Sequence, residues 1–149
     1  MARVTSAERA EPPAPPRVLL RSEQSKGRIS VIESTMPARA KGPPLHVHDF
    51  DEAFYVLEGE LTVQHGEELI VVGAGEFAFA LGGVPHTLAN RSSAEARFVI
   101  VCAPAGFERE FARRAAARAG VDPPAWANQP IPKVTVVGPR IGEGEGGES

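Results

Sequence analysis

The most constraining feature of this sequence is a series of short apolar segments that are separated by turns rich in Gly and Pro. The segments recur from Arg17 to Val101, and turn signals such as His65-Gly66-Glu67 and Gly73-Ala74-Gly75 lie between them. Because Gly and Pro favour turns over continued strands, each strand can run for only a few residues. Many short strands at near-regular spacing are typical of an antiparallel sandwich or barrel. We therefore predict an all-β fold.

The length of the chain and its ends indicate one domain. The 149 residues are enough to bury one hydrophobic core. Residues 1–16 are rich in Ala, Pro and charge, and they predict a disordered N-terminal arm. The Gly- and Glu-rich residues 141–149 predict a flexible tail. We expect the domain itself to span residues 17–140.

One short helix is expected after the strands. Residues 106–119 are rich in Ala, Arg and Glu, which are good helix formers. Phe107 and Phe111 are four residues apart and would lie on one apolar stripe. Gly120 fits the position that ends a helix in the left-handed conformation. The β-branched residues 133–137 predict a last strand beyond it.

The charge pattern argues against nucleic acid as a partner. The formal net charge is -3 at pH 7, whereas phosphate binding needs clustered Lys and Arg. The one local basic cluster lies on the predicted helix and is interpreted as a solvated face; it consists of Arg109, Arg113, Arg114 and Arg118.

The sequence also argues against a membrane or a secreted protein. No apolar stretch is long enough to span a bilayer, and residues 1–16 hold no apolar core of signal-peptide length. Cys102 is the single cysteine, so no intramolecular disulfide is possible, and its apolar neighbours predict a small buried thiol. We expect a cytoplasmic protein.

A group of His and Glu residues carries the chemistry. His46 and His48 are two residues apart, and on a strand alternate residues face the same side. Glu52 keeps the same parity, and His86 lies on a different predicted strand. Three imidazoles and one carboxylate that converge inside a barrel suit a divalent transition metal. His65 lies in a predicted hairpin turn and is not expected to be a ligand.

The first part of this group resembles a known motif. Residues 42–52 contain an H-x-H pair with a Glu four residues on, and Gly59 follows Glu52 by seven residues. This pattern resembles the first motif of the cupin family. The gap from Gly42 to His46 is shorter than the usual gap in the family, so the leading Gly matches loosely.

The second part resembles the second cupin motif, G-x5-P-x-G-x2-H-x3-N. Gly75, Gly83, His86 and Asn90 have the right spacing, and Leu81 replaces the Pro. The departure at Leu81 would alter the stiffness of the turn and leave the His ligand in place.

The resemblance is to small single-domain cupins grouped with quercetin dioxygenase-like proteins. It implies a jelly-roll-like antiparallel β-barrel, often a homodimer. It also implies one divalent metal ion (Fe, Mn, Ni, Cu or Zn) that is held by His46, His48, Glu52 and His86. The members of this group include dioxygenases, isomerases and polyketide cyclases.

Three functions follow as hypotheses. The first is a metal-dependent, dioxygenase-type oxidoreductase for a small apolar or aromatic substrate, with Glu52 as ligand and proton acceptor. The second is a non-redox isomerase or cyclase in which the metal acts as a Lewis acid. The third is a non-catalytic module that binds a small ligand, because no further acid, base or nucleophile motif lies near the ligands.

Several residues are candidates to line a substrate pocket. They are Phe50, Phe54, Val56, Phe79, Leu88 and Asn90. Residues 131–140 are expected to fold back over the barrel and shape this pocket. The run from Ala53 to Leu57 is apolar on both faces, which indicates that a second sheet or a dimer partner covers its outer face.

Overall fold

A computed structural model describes residues 15–143, together with Arg3. The predicted arm and tail therefore fall largely on residues 1, 2, 4–14 and 144–149, which are outside the described residues. Two residues that the sequence places in the arm and in the tail, Pro16 and Ile141, are buried.

Within residues 15–143 the chain forms ten strands, two α-helices and one 3₁₀ helix. The strands are β1 (Arg17–Leu20), β2 (Ser30–Met36), β3 (His46–Val47), β4 (Asp51–Glu58), β5 (Glu60–His65), β6 (Glu68–Gly73), β7 (Phe77–Ala80), β8 (His86–Ala89), β9 (Ala96–Ala103) and β10 (Thr135–Val136). The helices are α1 (Ser22–Ser25), α2 (Glu108–Ala119) and the 3₁₀ helix (Ala125–Asn128).

The strands make two antiparallel sheets. The first sheet has the order β1-β2-β9-β4-β7, and the second has the order β10-β3-β8-β5-β6. The fold is jelly-roll-like, although the two sheets do not close into one barrel. The prediction of an all-β fold with a C-terminal helix is confirmed.

The core lies between the two sheets and follows the alternation of each strand. In β9, residues 96, 98, 100 and 102 are buried, while the residues between them are partly exposed. Phe54 and Val56 of β4 and Leu61 of β5 are also almost fully buried. Because side chains alternate across a strand, one face of each sheet supplies this core.

The segment before and after His48 differs from the sequence prediction. The parity argument places His46, His48 and Glu52 on one strand, but this segment contains β3 in the second sheet and β4 in the first sheet. The chain therefore changes sheets between Val47 and Asp51. Side chains from both strands meet because the inner faces of the sheets face each other, and not because of the parity along one strand.

Helix α2 ends as expected. Gly120 has a φ of 69°, and its N–H bonds to the carbonyls of Ala116 and Ala117. A residue in this left-handed conformation stops the helix, and Gly adopts it without a steric penalty. Within residues 15–143, no helix is both long and apolar enough to cross a membrane. The cytoplasmic location stays a prediction.

Candidate metal centre

The structure brings together all four residues that the sequence suggests as metal ligands. One ligand atom each from His46, His48, Glu52 and His86 lies within 4.8 Å of the others. His46 of β3 is directly opposite His86 of β8, and Glu52 comes from β4 in the other sheet. His48 lies in the connection between β3 and β4.

Each of the three imidazoles has one nitrogen on a backbone carbonyl. The Nδ1 atoms of His46, His48 and His86 lie 2.7 Å, 2.9 Å and 3.0 Å from the carbonyl oxygens of Pro44, Phe50 and Val84. A carbonyl can only accept, so each Nδ1 carries a proton and donates it. The Nε2 atom of each ring is then the atom that can bind a metal, and the ring orientation is fixed beforehand. Without a metal, a proton lies between Nε2 and Oε1 of Glu52 in both the His48 and the His86 pair, and a metal ion would take its place.

Glu52 is the charged centre of the cluster. Its Oε1 lies 3.0 Å from Nε2 of His48 and 3.1 Å from Nε2 of His86. Burial raises the pKa of Glu52, but the hydrogen bonds from the two histidines outweigh burial and hold the pKa at about 2. The side chain is therefore an ionised carboxylate at neutral pH, although only 5% of its surface is exposed.

The pKa values of His46 and His86, which face each other across β3 and β8, are shifted in opposite directions. Burial is the largest influence on His46, and it lowers the pKa of this ring. Burial also acts on His86, but the hydrogen bonds that this ring donates to Glu52 and to the carbonyl of Val84 outweigh it and raise the pKa. The difference arises because His86 contacts the carboxylate of Glu52 through Nε2, whereas His46 has no such bond among the described residues.

The residues present fit a divalent first-row metal ion. Three imidazole nitrogens and one carboxylate oxygen are ligands that Fe, Mn, Ni, Cu and Zn accept. Ligands on opposite sides of such an ion, with bonds of roughly 2.2 Å, lie up to roughly 4.4 Å apart. The observed spread of 4.8 Å therefore needs a shift of only a few tenths of an ångström.

The surroundings support the ligands from several sides. The ring of Phe50 stacks on that of His48, with centroids 3.5 Å apart and planes within 4° of each other. The N–H of Gly83 donates to the carbonyl of His48 at 2.8 Å. A Cβ on Gly42, which has a φ of 71°, would collide with the carbonyl of Leu88, so this loop can pack flat against β8 only with glycine.

Cys102 also lies beside the cluster. It pairs with Glu52 across β9 and β4, and it is fully buried. Burial, followed by the charge of Glu52, raises the pKa of the thiol far above its usual range. Cys102 is therefore an uncharged packing residue, in agreement with the sequence interpretation.

A cavity of about 340 Å³ opens on the cluster. His46 and Glu52 border it, and apolar side chains make most of its wall. The volume falls within the range of pockets that bind small molecules.

Only some of the predicted pocket residues border the cavity in the structure. Phe54 and Leu88 line the cavity. Phe50 stacks behind His48, and Val56 is fully buried in the core, so neither borders the cavity.

Phe79 and Asn90 do not border the cavity either. Phe79 is 51% exposed, because its register opposite Ala53 places it on the outer face of the first sheet. The Asn90 amide donates to the carbonyls of Met36 and Ala94 and accepts two bonds from Ser92, so its polar groups are used within a loop.

Sequence reasoning missed most of the cavity wall. The additional lining residues include Pro16, Met36, Pro43, Phe98, Ile100, Phe107, Phe111, Arg114, Arg118, Val134 and Val136. Two signals were present in the sequence: the alternation of β9, which points Phe98 and Ile100 inward, and the stripe of helix α2. Val134 and Val136 lie in the predicted fold-back segment, and β10 pairs there with β3.

Part of the chain matches a known domain family. Residues 32–102 match the family model of the cupin domain, which confirms the resemblance in the sequence. No curated protein sequence matches the chain.

Solved structures resemble the chain over about two thirds of its length. The TT1209 protein of Thermus thermophilus is 28% identical, with a TM-score of 0.53, over 68% of this chain and 96% of that chain. The polyketide cyclase RemF of Streptomyces resistomycificus is 26% identical, with a TM-score of 0.55, over 69% and 79%. A double-stranded β-helix protein of Klebsiella pneumoniae subsp. pneumoniae MGH 78578, at 22% identity and a TM-score of 0.55 over 70% and 92%, shows the fold alone.

Proposed function

Because residues 32–102 form a cupin domain, we propose that this chain is a metal-dependent enzyme for a small apolar or aromatic molecule. The observation that carries this proposal is the position of the ligand cluster. His46 and Glu52 face a largely apolar cavity of about 340 Å³, so the site has room for a substrate next to its charged groups.

His46, His48, Glu52 and His86 would hold the metal ion. When bound, a divalent ion supplies Lewis-acid chemistry, and a redox-active one also supplies electron transfer to O₂. The protein fixes the imidazole rings through their Nδ1 hydrogen bonds and surrounds the site with largely apolar walls.

Glu52 is the proposed proton acceptor. Both hydrogen bonds that Glu52 receives from His48 and His86 end on Oε1, so Oε2 has no hydrogen bond to these two rings. Because the carboxylate of Glu52 is ionised and borders the cavity, it is the group of the site that is placed to accept a proton from a substrate.

A dioxygenase-type oxidation is the first candidate reaction. An isomerase that moves a proton between two atoms commonly uses a separate acid and base. Apart from the ligands, the ionisable side chains that border the cavity are Arg114 and Arg118, and arginine does not give up its proton. The support for a reaction with O₂ is the resemblance of the ligand motifs to those of the quercetin dioxygenase-like cupins.

A metal-dependent cyclase is the second candidate. The similarity to the polyketide cyclase RemF, at 26% identity over 69% of this chain, favours it. A cyclase would use the same cavity and ligands without consuming O₂.

Turnover measurements separate these candidates. The protein is loaded with Fe(II), Mn(II), Ni(II), Cu(II) or Zn(II) and assayed with a panel of aromatic substrates, with and without O₂. O₂ uptake that requires both metal and substrate supports the oxidation, whereas full turnover of the Zn(II) protein without O₂ supports the cyclase. Metal binding without turnover in any assay would contradict both and leave a ligand-binding module.

Two matched variants test the role of Glu52. We expect Glu52→Gln to lower turnover by roughly 100-fold or more, because general-base catalysis contributes about that factor. Glu58→Gln on the same strand changes an exposed carboxylate that pairs with Arg97, and it should leave turnover within about 2-fold. Equal turnover of the two variants would contradict the assignment.

We also propose that the protein is a homodimer through the outer face of the first sheet. Tyr55, Phe77 and Phe79 are 42%, 59% and 51% exposed, and the register of β4 and β7 places them on this face together with Ala53. Their exposed area is on the order of 300 Å², a substantial part of the roughly 800 Å² that each partner of a stable complex buries. A second copy offers the same apolar face, which makes the surface self-complementary.

The oligomeric state tests this surface. Sedimentation equilibrium should give about twice the chain mass of 15.8 kDa for the wild type and for Val71→Ser, an exposed change on β6 of the other sheet. Phe79→Ser should shift the mass toward one chain. A monomeric wild type, or a dimer that Phe79→Ser does not weaken, would contradict the proposal.

A further inference from the structure

The basic cluster of helix α2 is divided into two functional pairs by the structure. Arg109 donates to the carbonyl of Pro130 at 2.8 Å, and Arg113 donates to the carbonyls of Ala127 and Gln129 at 2.7 Å and 2.9 Å. These two guanidinium groups therefore hold the helix against the segment that follows it. The expectation of one solvated basic face is wrong for this pair.

The other pair, Arg114 and Arg118, borders the cavity. Together with Phe107 and Phe111, these residues recur every three or four positions and lie on one face of the helix. The ring of Phe107 is 6.2 Å from that of His48, so the aromatic half of this face is near the metal ligands. The other half of the face carries Arg114 and Arg118, which are exposed to solvent, and we call this part of the cavity its mouth.

The charge at the mouth is only partly compensated. Arg114 is paired with Glu110 through Nε at 3.0 Å, and its side chain is 53% exposed. Its guanidinium carbon lies 5.7 Å from the centre of the Phe111 ring, which keeps it near the wall. Arg118 has no ion pair with any residue between 15 and 143. Among the described residues that border the cavity, the only carboxylate is Glu52, which belongs to the ligand cluster.

From this arrangement we infer that the cavity takes an elongated apolar carboxylic acid, an inference that rests on the proposed function of the same site. The carboxylate pairs with Arg114 and Arg118, whose planar groups match it in shape and charge. The apolar body lies along Phe107 and Phe111, and the far end meets Glu52. In the metal-free protein the negative charge of Glu52 disfavours a carboxylate at that end, so the ligand has one orientation there.

The helix also sets the length of the ligand. Seven residues separate Phe107 from Arg114, which corresponds to a rise of roughly 10 Å along an α-helix. A molecule of two linked aromatic rings spans about this distance, whereas a single ring with a carboxylate does not reach both ends. The matched probes are therefore biphenyl-4-carboxylate and its neutral analogue, biphenyl-4-carboxamide.

Calorimetric titration of both probes into metal-free wild-type protein tests the inference without requiring turnover. We expect the carboxylate to bind about 10-fold more tightly than the amide, because charge-assisted hydrogen bonds are about twice as strong as neutral ones. Arg114→Gln and Arg118→Gln should each remove most of this difference. Arg28→Gln, which removes an exposed charge outside the cavity, should leave it unchanged.

The outcomes are distinguishable from those of the proposed function. Equal affinity for the two probes, no binding of either, or a preference that survives both arginine variants would overturn the inference. A clear preference in a protein without turnover would support the inference and contradict the proposed enzyme. Turnover without a preference for the carboxylate would support the proposed enzyme and overturn the inference.

Discussion

The two ends of the cavity are built in different ways. At the inner end, all three imidazoles have a backbone hydrogen bond, and Phe50 stacks on His48. At the mouth, Arg114 and Arg118 are exposed and make one ion pair within the described residues, with Glu110. The inner end thus has the preorganised geometry that chemistry requires, whereas the mouth can adapt to a ligand. Under the proposed function, reaction and recognition would lie in separate parts of the molecule.

The position of the mouth depends on one buried carboxylate. Both oxygens of Glu108, at the start of α2, accept backbone N–H groups at 2.6 Å, from Ser22 and from Gly106. Glu108 is fully buried. The helix that carries the two flexible arginines is therefore itself fixed at its first turn.

The largest effect is expected at the inner end. His48→Ala should weaken metal binding by roughly 100-fold or more, because loss of an outer partner of a ligand alone costs 10–100-fold. His65→Ala is the matched control: His65 pairs with His86 across β5 and β8 but is not part of the cluster. Elemental analysis after dialysis should find about one ion per chain in the wild type and in the control, and almost none in His48→Ala. Equal loss in both variants would contradict the proposed ligand set.

The next effect tests the support of the mouth. Glu108→Ala leaves two backbone N–H groups without their acceptor and should lower the free energy of unfolding by about 3 kcal/mol. Glu110→Ala, on the same helix, removes an exposed pair and should cost less than about 0.5 kcal/mol. Urea unfolding of both variants measures these values, and a similar cost for both would show that Glu108 does not fix the helix.

A smaller effect is expected from salt, which should weaken charged contacts at the mouth of the cavity and leave apolar contacts unchanged. Raising NaCl from 50 mM to 500 mM should weaken the binding of biphenyl-4-carboxylate by roughly 3-fold, because exposed charges are screened. The affinity for biphenyl-4-carboxamide should not change, since its binding is apolar. Titrations at both salt concentrations decide this point, and equal salt dependence would place the carboxylate away from Arg114 and Arg118.

The smallest effect is expected at Glu33, whose carboxylate lies at neither end of the cavity. Burial raises the pKa of Glu33, but the hydrogen bonds from Arg17 and Arg97 outweigh burial and lower it below the usual 4.5. A lowered pKa contributes stability above pH 4.5, and this contribution is lost as the pH falls through the folded-state value. Glu33→Gln should therefore cost roughly 0.5 kcal/mol at pH 7 and less at pH 3, which lies below the usual pKa of 4.5.

The control for this prediction is Glu60→Gln, which changes an exposed carboxylate without an ion pair among residues 15–143. Its unfolding free energy should equal that of the wild type at both pH values. If Glu33→Gln shows the same cost at pH 3 as at pH 7, the ion pairs are not its cause.

The candidate ligands and the positions of most strands along the chain were predictable from the sequence, because both depend on local signals. His46, His48, Glu52 and His86 stand at motif spacing, and turn residues mark most strand ends. The alternation of buried and partly exposed residues in β9 is also a local pattern.

The cavity wall was harder to predict because it depends on contacts between distant segments. Phe79 faces outward because of its pairing with Ala53, and nothing in its own neighbourhood shows that register. Arg109 and Arg114 look alike in the sequence, yet only the docking of α2 against residues 127–130 places one on a carbonyl and the other on the cavity. The change of sheets after Val47 is also a tertiary feature.

The backbone acceptors of the three histidines have a consequence for mutational tolerance. The oxygens that fix the rings belong to the main chain of Pro44, Phe50 and Val84, two residues away from each ring. A substitution of those side chains leaves the carbonyl in place, so the tautomer of each ring survives changes that would abolish a side-chain partner. The sequence around the ligands can therefore vary widely, and new cavity shapes can evolve there, while the nitrogen atoms remain ready for a metal.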